Sequence, residues 1–80
     1  MSSPKQSLPD CVRESVETFF ADLDGTEPAH LHEMLMRAVE KPLLEVVMAR
    51  AHSNQSRAAQ WLGLNRNTLR KKLVEHGLID

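Results

Sequence analysis

The sequence predicts an all-α fold of four helices, two long and two short. Three observations carry that reading. Apolar residues recur every three or four positions over two long stretches, the spacing that gives a helix one apolar face. Asp24-Gly25, Asn54, Gly63, Asn65 and Gly77 stand where such helices would start or stop. The segment from Asn54 to Leu73 compresses two helices around a tight turn. A chain of 80 residues forms one domain at most, and a domain of that size buries only about 60% of its unfolded surface. A second subunit is therefore expected to complete its core.

Residues 1–8 read as a polar N-terminal tail, with Met1 to Gln6 expected to be disordered because Pro4 and the polar residues around it show no apolar period. Leu8-Pro9-Asp10 is a helix entrance, since proline is tolerated in the first turn and aspartate suits the positive end of the helix dipole. Val12, Val16, Phe19, Phe20 and Leu23 then form one stripe, so the first helix runs to about Leu23 and ends at Asp24-Gly25. Thr26-Glu27-Pro28 is the connection to the next helix.

The second helix is expected from about Pro28 to Ala51, with Leu31, Leu35, Ala38, Val39, Leu43, Val46 and Val47 inward. Met34, Met36 and Met48 widen its apolar surface beyond what one short helix can cover in the same subunit. That surplus implies a dimer core, built from Val16, Phe19, Phe20, Leu35, Val39, Leu43 and Val46. Pro42 removes one backbone hydrogen bond and crowds the preceding turn, which predicts a kink and not a break. Residues 9–52 are thus the dimerisation helices, and residues 53–80 a separate unit.

In that unit Asn54 caps a third helix, about Gln55 to Leu62. Gly63 ends it in the left-handed conformation that a tight turn needs, and Leu64 plugs the turn. Asn65 caps a fourth helix, about Arg66 to His76, closed by Gly77. Ala58, Ala59, Leu62, Leu64, Leu69 and Leu73 fall where two crossing helices face each other, and the small alanines permit a close crossing. Trp61 is expected to anchor this unit on the second helix. The outward set is Arg66, Asn67, Thr68, Arg70, Lys71 and Lys72, which suits phosphates and base edges. A solvated basic face is the plainer alternative, and the cap, glycine, turn leucine and small crossing residues together weigh against it.

The segment from Lys41 to Gly77 resembles the C-terminal part of Fis, the bacterial nucleoid-associated DNA-bending family. Lys41-Pro42-Leu43-Leu44, Asn54-Gln55-Ser56-Arg57-Ala58-Ala59 and Gly63-Leu64-Asn65-Arg66-Asn67-Thr68-Leu69-Arg70-Lys71-Lys72-Leu73 carry the resemblance, and a weaker likeness continues back to about Val12. The same helix-turn-helix type closes NtrC-like enhancer-binding activators. The resemblance implies an intertwined dimer whose four-helix core is made by the first two helices of each subunit. It implies that Arg66 and Asn65 meet bases, and that Asn54, Ser56, Thr68, Arg70, Lys71 and Lys72 meet the DNA backbone. Arg57 has two readings, a phosphate contact or a brace against an acidic residue. It implies too that the duplex bends and its central minor groove narrows, so that sites are degenerate and A·T-centred. Three features depart from the family. Only a short polar segment precedes the first helix, so no recombinase contact is expected. Asn67 stands where a glycine is usual, and Val74-Glu75 where the motif is more basic.

The net charge of −1 conceals a division: residues 1–49 carry four Lys and Arg against nine Asp and Glu, and residues 50–80 six against two. An acidic body with a basic tip would present that tip to a polyanion. A single Cys11, no bilayer-length apolar run and no signal peptide predict a cytoplasmic protein, and the resemblance to Fis implies the bacterial nucleoid. His30, His32, His52 and His76 lack metal-site spacing and are expected at the surface or at caps, so neither metal nor cofactor is expected. No glycine-rich phosphate loop and no nucleophile with a base can be assembled, which predicts no enzyme. The expected partners are double-stranded DNA and a second copy of the chain, not a membrane. Two readings compete with a stand-alone DNA-bending regulator: the DNA-binding end of an NtrC-like activator, and a helix-turn-helix adaptor that binds protein.

Overall fold

The computed structural model describes residues 6–80, and all regular structure among them is helical: α1 Leu8–Leu23, α2 Leu31–Arg50, α3 Gln55–Leu62 and α4 Arg66–Glu75. The expectation of disorder for Met1 to Lys5 lies outside the described residues. Gln6 is tied down, its amide donating to Glu14 Oε2 at 3.0 Å. The chain divides into two compact units, one reaching Leu31 and the other spanning His32–Asp80.

In the first unit Ser7 caps α1, its hydroxyl accepting from the Asp10 amide at 3.2 Å. Pro9 sits in the first turn, where its missing N–H would have no partner anyway. Asp10 faces the positive end of the helix dipole and pairs with Arg13 at 2.9 Å. Phe19 and Phe20 meet edge to face, with ring centroids 6.4 Å apart. No residue of this 16-residue amphipathic helix is buried in the single chain.

Helix α2 begins three residues later than the sequence suggests, at Leu31 in place of Pro28. His30 takes φ of 56°, and a residue in the left-handed region cannot continue a right-handed turn. The helix then runs unbroken through Pro42 to Arg50. Its buried residue is Leu44, at 1% exposure, whereas Leu43 and Val46 of the expected inner stripe are 47% and 60% exposed. Helical phase explains the difference. Leu44, Val47, Met48 and Ala51 lie on one side of α2, while Leu35, Val39, Leu43 and Val46 lie about a third of a turn away.

The core of the second unit is Leu44, Ala51, Ala58, Ala59, Leu69 and Leu73, ringed by Val47, Met48, Leu62, Leu78 and Ile79. Trp61 is not its anchor, being 55% exposed. Ala58, Ala59 and Leu62 define the inner face of α3, and Trp61 lies about 110° around the helix from its centre. The two alanines let α3 and α4 approach so closely that leucines alone fill the crossing.

Each turn closes by paired hydrogen bonds that consume the last carbonyls of a helix. After α3, Gly63 N–H donates to Gln60 and Leu64 N–H to Ala59; after α4, Gly77 N–H donates to Val74 and Leu78 N–H to Leu73. At the end of α2 the same pattern is built without glycine: His52 donates to Ala49, Ser53 to Met48, and both take positive φ, 53° and 64°. Two opposite outcomes are expected. Gly63→Ala destabilises by about 1–2 kcal/mol because φ is 74°, although no atom lies within 4 Å of the added methyl. Ser53→Gly stabilises by about 0.5–1 kcal/mol. Thermal melts of the two variants check both signs.

Candidate nucleic-acid interface

The N-terminal halves of α3 and α4 present the outward side chains. Asn54 has extended backbone, φ −82° and ψ 101°, and its Oδ1 accepts from the Arg57 amide at 3.0 Å. Asn65 does the same for α4, accepting from the Asn67 amide at 2.8 Å. Each asparagine thus spends its oxygen on a cap and keeps its side-chain NH₂ free to donate. A two-point bond from Asn65 to adenine would have to use the second lone pair of that capping oxygen. Asn65 remains a donor toward guanine N7 or O6, thymine O4 or phosphate.

Arg66 is the first residue of α4, and with Asn67, Thr68, Arg70 and Lys71 it is exposed. A surface groove lined by Asn67, Thr68, Arg70, Lys71, Val74 and Glu75 follows this face, with Val74 48% exposed in it. Ser56 and Arg57 are exposed on the first turn of α3. Among the described residues neither Arg57, Arg66, Arg70 nor Lys71 has a carboxylate within ion-pair distance. No acidic brace for Arg57 is present among the described residues.

Lys72, expected among the backbone contacts, is turned the other way. Its ammonium lies 2.8 Å from Glu40 Oε2, while His76 Nε2 lies 2.9 Å from Glu40 Oε1. His76 is the C-cap residue of α4 and is 8% exposed, so it meets the expectation of a capping histidine and not that of a surface one. An ionised carboxylate only accepts, so Nε2 carries the proton. The hydrogen bond from Lys72, and next that from His76, hold the Glu40 carboxyl below the ordinary glutamate range. A depressed folded-state pKa means the ionised group stabilises the fold above its unfolded value, and that contribution disappears as pH falls through the folded value. Acid titration followed by circular dichroism should therefore show wild type more stable than Glu40→Gln near neutrality. The gap should close on the acid side of the glutamate range.

Of the expected dimer-core residues, Val16, Phe19 and Leu35 are half-buried in the single chain, and Phe20, Val39, Leu43 and Val46 are exposed, from 36% to 60%. Among the described residues no group of His, Cys, Asp and Glu is arranged to hold a metal ion, and no helix is long and apolar enough to cross a membrane.

The family model for bacterial regulatory proteins of the Fis family matches residues 35–76, from the second turn of α2 to the C-cap of α4. That span contains both capped helices, the Gly63 turn and the exposed cations. The chain belongs to the Fis family. It is similar to a protein of Ralstonia nicotianae provisionally named Fis-like DNA-binding protein, 55% identical over 69 residues, which cover 86% of this chain and 90% of that one. Proteins of the same provisional name from Neisseria meningitidis serogroups A and B are each 54% identical over 76 residues, covering 91% of this chain and 96% of theirs. For a Fis-family chain the four-helix order is the expected one, and Glu40, Lys72 and His76 all fall inside the matched span.

Proposed function

We propose that this chain is a homodimeric DNA-binding and DNA-bending regulator of the bacterial nucleoid, working in the cytoplasm without metal or cofactor and without catalysis. The observation that carries the reading is the face of α4: Arg66, Arg70 and Lys71, interleaved with Asn67 and Thr68, exposed and, among the described residues, with no carboxylate within ion-pair distance. Arg66 reads a guanine edge in the major groove, with Asn65 donating beside it. Asn54, Ser56, Arg57, Thr68, Arg70 and Lys71 hold phosphates, which fixes register and carries no sequence information.

The dimer is supported by what the single chain leaves uncovered. In α2 Met34, Met36, Val39, Leu43 and Val46 are large, apolar and exposed, and in α1 so is Phe20; so many exposed apolar side chains on two helices favour a partner that covers them. Two recognition helices held by one dimer core fit successive major grooves of a bent duplex. A·T-rich steps between half-sites lower the cost of that bend. Val46→Glu tests the dimer. At an exposed site of a monomer it would change stability by less than about 0.5 kcal/mol, whereas here it should halve the mass measured by light scattering.

Gel-shift titration on circularly permuted A·T-centred fragments, repeated at several salt concentrations, tests the whole reading. Position-dependent mobility with a steep negative slope of log K against log salt is the expected result. Tight binding without bending would instead identify an activator-type DNA-binding end. No binding at low salt would leave a protein-binding adaptor.

A further inference from the structure

Among the cations of α4, Lys72 alone is paired, and the pairing is part of a two-point attachment. The two oxygens of Glu40 are divided between residues one helical turn apart, Lys72 at 2.8 Å and His76 at 2.9 Å. A single bond would leave α4 free to roll against α2. Two bonds one turn apart, flanked by the packed Leu69 and Leu73, fix its rotation. Arg66 lies six residues upstream on the same rigid helix, about 9 Å along its axis. The roll of α4 sets which groove atoms Arg66 can reach.

We infer that Glu40 is a positioning residue for the recognition helix: through Lys72 and His76 it sets the rotation of α4, and it withholds Lys72 from the cations that meet phosphate. The consequence for DNA rests on the binding reading above; the clamp itself does not. The Lys72 and Glu40 side chains are 30% and 28% exposed, so replacing them leaves the leucine core intact.

The experiment uses the full chain and four variants, Lys71→Ala, Lys72→Ala, Glu40→Ala and Glu40→Gln, on specific and non-specific duplexes across a salt series. Lys71→Ala should flatten the salt slope by about 1, and Lys72→Ala should leave it unchanged. Glu40→Ala removes an acid and frees a lysine. Its slope should steepen by about 1 and its non-specific affinity should rise, while the ratio of specific to non-specific binding falls on the order of tenfold. Glu40→Gln keeps the shape and can still bond both partners, so it should retain most of that ratio. A purely structural role would lower both affinities together with the slope unchanged. That result overturns the inference, as does a flattened slope in Lys72→Ala. A double-mutant cycle of Glu40→Ala with Lys72→Ala, read by urea unfolding without DNA, should give a coupling of about fivefold in the folding constant. No coupling would also overturn the clamp. Failure of wild type to bind DNA at all would overturn the DNA-binding reading and the positioning role with it, while the cycle still decides whether the clamp exists.

Discussion

Leu69→Ala is expected to lower stability by about 2–5 kcal/mol. Leu69 is 0% exposed and belongs to a core of six residues, three of which are alanine. Such a core holds few contacts that could move to fill the gap. Ala58 and Ala59 have no side-chain atoms to swing inward, and Leu44 and Leu73 are themselves fully buried against the same space. The upper half of the range is therefore the better expectation. Small domains have only about 5–15 kcal/mol in hand, so the variant should unfold at much lower urea than wild type, with the slope of the transition preserved. The control is Val74→Ala, 48% exposed on the same helix, which should fall within about 0.5 kcal/mol of wild type. If the two variants matched, the packing of α4 against α2 and α3 would not be what holds the second unit together.

The elements of this fold were largely legible from periodicity and punctuation. Asn54, Gly63 and Asn65 each mark a boundary by a specific backbone requirement, and the bounds of α3 read from them match the structure. The start of α2 was less legible because His30, with no glycine or proline signature of its own, adopts the left-handed conformation. Leu43 and Leu44 are adjacent and chemically equal. Only the position of α3 and α4 decides that Leu44 turns to the intrachain core while Leu43 stays outside it. Trp61 misleads for a related reason, since its size suggests burial while its phase relative to Ala58 and Ala59 places it on a flank.

The Glu40 cluster has a signal in the sequence, though a weak one. Leu69, Lys72, Leu73 and His76 follow the i, i+3, i+4, i+7 spacing of one helix face, and Glu40 precedes Leu44 by four residues on the buried side of α2. A lysine on the same stripe as two core leucines points inward as far as its length allows. Charge composition alone counts it with the outward cations, whereas its ammonium is paired with Glu40. The cations of α4 that are left exposed are Arg66, Arg70 and Lys71.

That smaller set sharpens the expected consequence of Arg66→Ala. Specific binding should weaken by about 1–3 kcal/mol, and the preference for guanine under this position should relax, because a bidentate pair to O6 and N7 discriminates against every other base. Asn65 does not replace it, since one side-chain NH₂ lacks the two-nitrogen fork with which a guanidinium spans O6 and N7. Arg70→Ala should behave differently, lowering affinity for all sequences alike and flattening the salt slope by about 1. Competition titrations with duplexes varied at the guanine position separate the two. Equal losses on every duplex for Arg66→Ala would move it to the phosphate-contacting group. Specificity would then have to come from DNA shape alone, with the protein selecting sites by how readily their A·T-rich centres compress.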